Sequence, residues 1–191
     1  MIGGLLLAAG GARRFGSQKL VAPFRGAPVV RHAAEAMESE TDHLVIVVGS
    51  EAAAVRRAVD GVRARIVEND DWALGLSTSI RCGIDAFGEG TEAAILAVGD
   101  QPQLAAETIR RVIDRWRESA KPIVSASYRG VRAHPVLFAR DKFDALRRLE
   151  GDAGARLLIE RSGDDVSYVE IDEPLPPDVD TPDDLARLSK A

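Results

Sequence analysis

The sequence predicts an α/β protein, a three-layer α/β/α sandwich built on a mostly parallel sheet, and three observations carry that expectation. Apolar β-type runs alternate with stretches of helical periodicity along much of the chain. The runs are apolar at nearly every position, as in Leu44-Val-Ile-Val-Val48, so both faces of such a strand need cover. At 191 residues the chain is most simply one domain, 1–191, with length enough to bury a sizeable core. In order, strands are expected at Ile2–Ala8, His43–Val48, 65–67, Ala93–Val98 and 122–126. The helices between them are expected at 28–37, 51–59, 77–87 and 106–117. After residue 126 the rhythm changes, and a polar stretch leads to Pro135-Val-Leu-Phe138. Helical segments at 142–149 and 153–162, a late strand at 167–171 and a Pro-rich stretch at 173–177 follow. A short helix at 182–189 closes the chain, with Thr181 as its N-cap and Pro182 at its first position.

The formal net charge of −5 gives no reason to expect a nucleic-acid or membrane surface, although a local basic pocket survives such a balance. The lone cysteine, Cys82, excludes an internal disulfide, a Cys-rich zinc site and a redox pair, and is expected as a small apolar residue in a helix. No apolar run approaches membrane-spanning length, and the first residues enter a strand without a basic leader. A cytoplasmic location is the resulting expectation.

The most informative stretch is the exit of the first strand, Leu7-Ala-Ala-Gly-Gly-Ala-Arg-Arg-Phe-Gly-Ser-Gln-Lys19. A buried strand that empties into a cationic glycine loop suits an anion held beside backbone amides. Arg14 offers a fork matched to phosphoryl oxygens and Lys19 a mobile point charge. The spacing is not that of a P-loop, because Ser17-Gln18 separate Gly16 from Lys19 and no hydroxyl follows the lysine. Nor is it a dinucleotide fingerprint, since the G-x-G-x-x-G spacing is missing and the second strand ends in Gly49-Ser50 rather than an acid.

Chemistry in open parallel sheets gathers beyond the carboxyl ends of the strands. There, Gly99-Asp-Gln-Pro102 places Asp100 at a strand tip, suited either to holding Mg²⁺ against phosphate or to a turn. Asp180, just before the closing helix, is either a second metal ligand or a structural turn, with Asp178 behind it. Between Asn69 and Ser79, Gly75 opens a helix whose first amides can receive an anion, and Ser77 and Ser79 serve as caps or ligand contacts. Trp72 is a cover for the pocket or a packed aromatic. Arg129, Arg132 and His134, with Gly151-Asp-Ala-Gly-Ala-Arg156, form polar clusters fit for a second, anionic substrate, although His134 is equally suited to a hydrogen-bonded loop position. No Ser-His-Asp or Cys-His arrangement offers a nucleophile.

Taken together, Leu7-Ala-Ala-Gly10 with Arg14, Gly16 and Lys19; Asn69 to Gly83; Gly99-Asp-Gln-Pro102; His134-Pro-Val-Leu-Phe138; Gly151-Asp-Ala-Gly-Ala-Arg156; and Asp180-Thr-Pro182 resemble, in order, the small nucleotidyltransferases of molybdenum cofactor biosynthesis. The resemblance is strongest to their cytidylyltransferase branch. It implies a Rossmann-like fold of the nucleotide-diphospho-sugar transferase (GT-A-like) type. It also implies Mg²⁺-dependent transfer of CMP from CTP to the terminal phosphate of molybdopterin, with release of pyrophosphate. Leu7-Ala8-Ala9-Gly10 matches the form that accompanies CTP rather than GTP. By the same resemblance, Lys19, Asp100 and Arg14 are catalytic, and Asp100 with Asp180 holds the metal. The nucleotide falls to Leu7, Ala8, Ala9, Gly10, Gly11, Arg14, Gly16, Lys19, Asn69, Gly75, Ser77 and Ser79 within an NTP-binding part at about 1–105. The acceptor falls to Gln101, Pro102, Arg132, His134, Asp152 and Arg156, most of them in an elaboration at about 125–180. A recipient molybdoenzyme is an implied partner. Rivals are another NTP, another phosphorylated acceptor such as a sugar phosphate, and a non-catalytic subunit that delivers the cofactor. Two departures stand out: Ala12 replaces a frequent serine in the first loop, and Ala133 replaces a frequent glycine before His134.

Overall fold

The computed structural model describes residues 1–11 and 15–190. Strand β1 (Ile2–Ala8) is followed by a small antiparallel hairpin of β2 (Pro23–Phe24) and β3 (Ala27–Pro28). Next come α1 (Val29–Glu40), β4 (His43–Val48), α2 (Ala52–Ala58), β5 (Ala64–Glu68), α3 (Leu76–Asp85) and β6 (Ala93–Val98). The second half contains α4 (Ala106–Ser119), β7 (Ile123–Tyr128), β8 (Val131–Ala139), α5 (Phe143–Arg147), α6 (Arg156–Arg161), β9 (Val166–Ile171) and α7 (Pro182–Leu188). Seven of these strands make one sheet in the order β5-β4-β1-β6-β8-β7-β9. Its pairings are parallel except those of β8, which runs antiparallel to both β6 and β7.

The two-residue alternation of a strand explains why β1 is apolar throughout. Leu6 and Ala8 face a cluster with Val30, Ala33 and Met37 of α1, Val55 of α2 and Val112 of α4. Leu5 and Leu7 face the other way, onto Ile80 and Ile84 of α3 and Phe143 and Leu146 of α5. Helices therefore cover both sides of the sheet. Each fully buried Leu, Ile or Phe contributes about 1.5–3 kcal/mol by leaving water. No helix among the described residues is long and apolar enough to cross a membrane.

The second half departs most from expectation. The polar stretch around His134 is part of β8, not a loop, and it is wedged between β6 and β7. Its register breaks: Ser125 pairs with Val136, but Ala126 pairs with Ala133, so His134 and Pro135 bulge out of the ladder. A bulge is where a strand tolerates a proline that has no N–H to donate, and it re-aims the neighbouring side chain. The expected helices at 142–149 and 153–162 shorten to α5 and α6 around a 3₁₀ turn at Gly151–Ala153. Gly151 opens that turn and Gly154 follows it, with φ of +66° and +54°.

The chain end is fastened where it matters. Val179 N donates to the Asp100 carbonyl at 2.9 Å, laying the segment before α7 across the exit of β6. Thr181 caps α7 reciprocally with Asp184: the Thr181 hydroxyl accepts from Asp184 N at 3.2 Å, and the Asp184 carboxylate accepts from Thr181 N at 2.8 Å.

Candidate active site

A cleft of about 430 Å³ opens beyond the carboxyl ends of β1 and β6. Its floor is an ionic junction. Lys19 Nζ donates to Asp100 Oδ2 at 2.6 Å and to Asp180 Oδ1 at 2.9 Å. The three side chains are 13%, 23% and 34% exposed respectively, and Lys19 and Asp100 line the cleft. Burial pulls the lysine pKa down, but the two carboxylates outweigh it and hold the ammonium above its ordinary value. Asp178 stays off the lysine and accepts instead from Gln101 Nε2 at 2.8 Å. Burial, then the charges of Asp100 and Asp180, push its carboxyl above the usual range.

Lys19 is aimed by its neighbour. Gln18 is buried, donates from Nε2 to the Ser50 carbonyl at 2.9 Å and accepts from Leu20 N through Oε1 at 3.4 Å. The first loop is thereby pinned to the end of β4. In the sequence, the only signal Gln18 gives is its place beside the lysine.

The cleft is lined by Leu7, Ala8, Ala9, Gly10 and Gly11 from the end of β1 and the first loop, and by Trp72, Gly75, Leu76, Ser79 and Asp152. Trp72 is both things that were expected of it: it lines the cleft, and it packs so tightly over the first loop that a Cβ on Gly11 would sit 2.9 Å from its ring. Gly75, with φ of +120°, closes against the turn at 151–152, where its own Cβ would lie 2.7 Å from the Gly151 carbonyl carbon.

A second cavity of about 370 Å³ shares Leu76 with the first and lies under the bulge of β8. His134, Arg132 and Arg156 line it beside the apolar Val136 and Ile159. His134 Nδ1 lies 3.3 Å from the Leu96 carbonyl, and since a carbonyl only accepts, Nδ1 carries the proton. The ring thus takes up a β6 acceptor where the backbone ladder to β8 stops. Burial holds the pKa of His134 below its ordinary value, against the Leu96 bond and the charges of Asp100 and Asp178. In that neutral form Nε2 keeps its lone pair. Arg132 lies over the Tyr168 ring at 4.5 Å, and Arg156 Nε donates to Glu160 at 2.7 Å.

Several predicted site residues lie elsewhere. Asn69 is buried and does not line the cleft: its amide nitrogen donates to the hydroxyls of Thr78 and Ser79 at 2.8 and 3.0 Å, and its oxygen accepts from Asp71 N. It ties β5 to the first turn of α3. Ser77 is buried outside both cavities, as are Gln101 and Pro102; Gly16 is exposed and apart from them. Asp152, expected on the acceptor side, lines the first cleft instead, because the turn at 151–153 leans on Gly75. Arg14 falls outside the described residues.

Among the described residues no group of three or more His, Cys, Asp or Glu side chains forms a metal cage. Asp100 and Asp180 nevertheless present one oxygen each to a single small cation, the lysine ammonium. Two hard carboxylate donors, completed by substrate phosphates and water, are a donor set that Mg²⁺ accepts. The residues present fit the ion.

A mostly parallel α/β sheet, a glycine loop at its switch point and a lysine–aspartate junction at the cleft are the features of a nucleotidyltransferase. The chain belongs to the MobA-like NTP transferase family, whose domain model matches residues 4–166. It is 34% identical over 196 residues to nicotine blue oxidoreductase of Paenarthrobacter nicotinovorans, covering 97% of this chain and 95% of that protein. It is 26% identical over 183 residues to the molybdenum cofactor cytidylyltransferase of Escherichia coli K12, covering 95% and 92%. Among solved structures, Rv0371c of Mycobacterium tuberculosis H37Rv superposes with a TM-score of 0.89 at 32% identity, covering all of this chain and 98% of the other. Its complex with manganese superposes with a TM-score of 0.82 at 33% identity, with the same coverage.

Proposed function

We propose that the chain transfers a nucleotidyl group from an NTP, with CTP as the preferred donor, to the terminal phosphate of a molybdopterin-type acceptor. The observation that carries this reading is the Lys19 junction with Asp100 and Asp180, set in a cleft that adjoins a second, partly apolar cavity. Support for cytidine and for the pterin comes from Leu7-Ala8-Ala9-Gly10 and from the Escherichia coli relative's cytidylyltransferase activity.

An acceptor phosphate oxygen attacks the α-phosphorus; that bond forms as the bond to the β-phosphate bridge breaks, and pyrophosphate leaves with the electron pair. Asp100 and Asp180 would hold a divalent cation such as Mg²⁺, which would supply neutralisation of the triphosphate charge. Lys19 adds a cation on the same floor, and the loop at Gly10 lets phosphate approach the main chain, since a Cβ there would meet nothing within 4 Å. The second cavity holds the acceptor, with Arg132 and Arg156 toward its anionic part and His134 Nε2 as an acceptor for a ring or exocyclic N–H. A phosphate is largely ionised near neutral pH, so the step needs no strong base.

Pyrophosphate release from CTP, GTP and ATP with Mg²⁺, with and without molybdopterin bearing molybdenum, tests the reading. Release that requires both CTP and the pterin is expected. One observation favours a second reading: the relative at 34% identity is named as an oxidoreductase of nicotine blue. Turnover of nicotine blue without any NTP-dependent pyrophosphate release would make that reading the better one.

His134→Ala is expected to raise KM for the acceptor about tenfold, the value of one lost buried hydrogen bond, with little change for the nucleotide. Equal losses for both substrates would remove His134 from the acceptor site. His134 also predicts a pH effect. Because its folded pKa lies below 6.5, the unfolded chain binds a proton that the folded site refuses, so stability is full above about pH 6.5 and falls as the pH drops below it. His134→Gln is expected to flatten the pH dependence of Tm in that window. A variant as steep as the wild type would overturn the assignment.

A further inference from the structure

The ammonium of Lys19 occupies the position that a divalent cation held by Asp100 and Asp180 would take. Its nitrogen touches one oxygen of Asp100, at the end of β6, and one of Asp180, beyond the crossing segment, at 2.6 and 2.9 Å. Metal and ammonium cannot share those oxygens at such distances without two cations standing within a few ångströms of each other, in a place half shielded from water. Asp178 adds a third carboxyl to the neighbourhood, bonded to Gln101. The lysine therefore offsets part of the negative charge that these carboxylates place together.

We infer that Lys19 keeps the cation site closed to free metal, so that a divalent ion enters together with the triphosphate, whose oxygens draw the ammonium off Asp100 and Asp180. Lys19 is then a positioning residue for the metal as well as a partner of the phosphates. Thermodynamic linkage makes the effect reciprocal: nucleotide raises the affinity for metal by the same factor as metal raises the affinity for nucleotide. The inference rests on the nucleotidyl-transfer reading, and it adds an order of assembly in which the metal–nucleotide complex, not the bare ion, loads the protein. It also gives Lys19 a consequence opposite to that of a plain phosphate ligand. Removing a ligand weakens everything bound there, whereas removing a competitor strengthens the metal alone.

Mn²⁺ binding followed by electron paramagnetic resonance, with and without α,β-methylene CTP, tests this with no turnover. In the wild type, Mn²⁺ alone is expected to bind weakly and to tighten at least about tenfold with the analogue, within the usual range of coupling between sites. Lys19→Met is expected to bind Mn²⁺ alone about tenfold more tightly than the wild type, with most of the response to the analogue lost. Adding Asp100→Asn to Lys19→Met should abolish that gain, which ties it to the junction and not to a remote carboxylate. Should Lys19→Met fail to fold, Lys19→Gln, polar and still uncharged, carries the same expectation. Mn²⁺ affinity that is unchanged or lower in the uncharged variants, while the analogue still tightens Mn²⁺ in the wild type, would overturn the inference and leave nucleotidyl transfer standing. No effect of any nucleotide on Mn²⁺ binding in any variant would overturn both.

Discussion

Asp100→Ala is expected to lower kcat/KM for nucleotidyl transfer about a thousandfold, or about 4 kcal/mol of transition-state stabilisation. The size follows from where the carboxylate sits. The main chain at the exit of β6 is held on both sides of it: Gly99 N donates to the Leu7 carbonyl at 2.9 Å, and the Asp100 carbonyl accepts from Val179 N at 2.9 Å. Removing the side chain leaves those bonds in place, so the loss falls on what the carboxylate does and not on the loop that presents it. Lys19 keeps its bond to Asp180, so the ammonium is not left without a partner. Unfolding measurements should accordingly show a small change in stability beside a large change in rate. Pyrophosphate release measured across a Mg²⁺ titration separates the causes. A variant that recovers near-wild-type rates at limiting Mg²⁺ would remove Asp100 from the metal.

The same bonds show why part of the site was legible in the sequence and part was not. Strands β1, β4 and β6 were expected with the bounds that they have, because strands covered on both faces must be continuously apolar. Polar groups beyond the carboxyl end of such a strand are candidates from topology, which is how Asp100 was singled out, and Lys19 by its charge in the loop after β1. Asp180 was left between metal ligand and turn because nothing local brings it to Asp100; the bond from Val179 that does so joins segments far apart in sequence. Strand β8 was hidden by its own chemistry. Arg132, His134 and Pro135 argue against a central strand, and only the bulge reconciles them with one. The partners of Asn69 were not legible for a related reason: both ends of its amide are used by Thr78, Ser79 and Asp71, contacts that the fold alone brings together. Asp152 lines the first cleft and not the second cavity because the contact of its turn with Gly75 joins segments far apart in sequence.

That contact sets the second large expectation. Gly75→Ala should destabilise the protein by about 3 kcal/mol, the sum of two separate penalties. With φ of +120° and ψ of 167°, Gly75 occupies a region of backbone space that is essentially restricted to glycine, and forcing an L-residue into it costs about 1–3 kcal/mol. Its Cβ would also stand 2.7 and 2.8 Å from the carbonyl carbon and oxygen of Gly151, which are backbone atoms and cannot swing away as a side-chain tip would. Relief requires the 151–152 turn to withdraw from the start of α3, and that turn carries Asp152 into the cleft. For a chain of this length the shift in Tm should be roughly 6–12 °C. Gly88→Ala is the control: a Cβ there would meet nothing within 4 Å, and the residue has no positive φ, so Tm should hardly move. At temperatures where Gly75→Ala remains folded, a withdrawn turn merges the two cavities at Leu76, and KM should rise for nucleotide and acceptor together. A Gly75→Ala protein as stable as the Gly88→Ala control would mean that the 72–75 segment and the 151–152 turn do not meet in solution as they do here, and the shared wall between the two cavities would have to be redrawn.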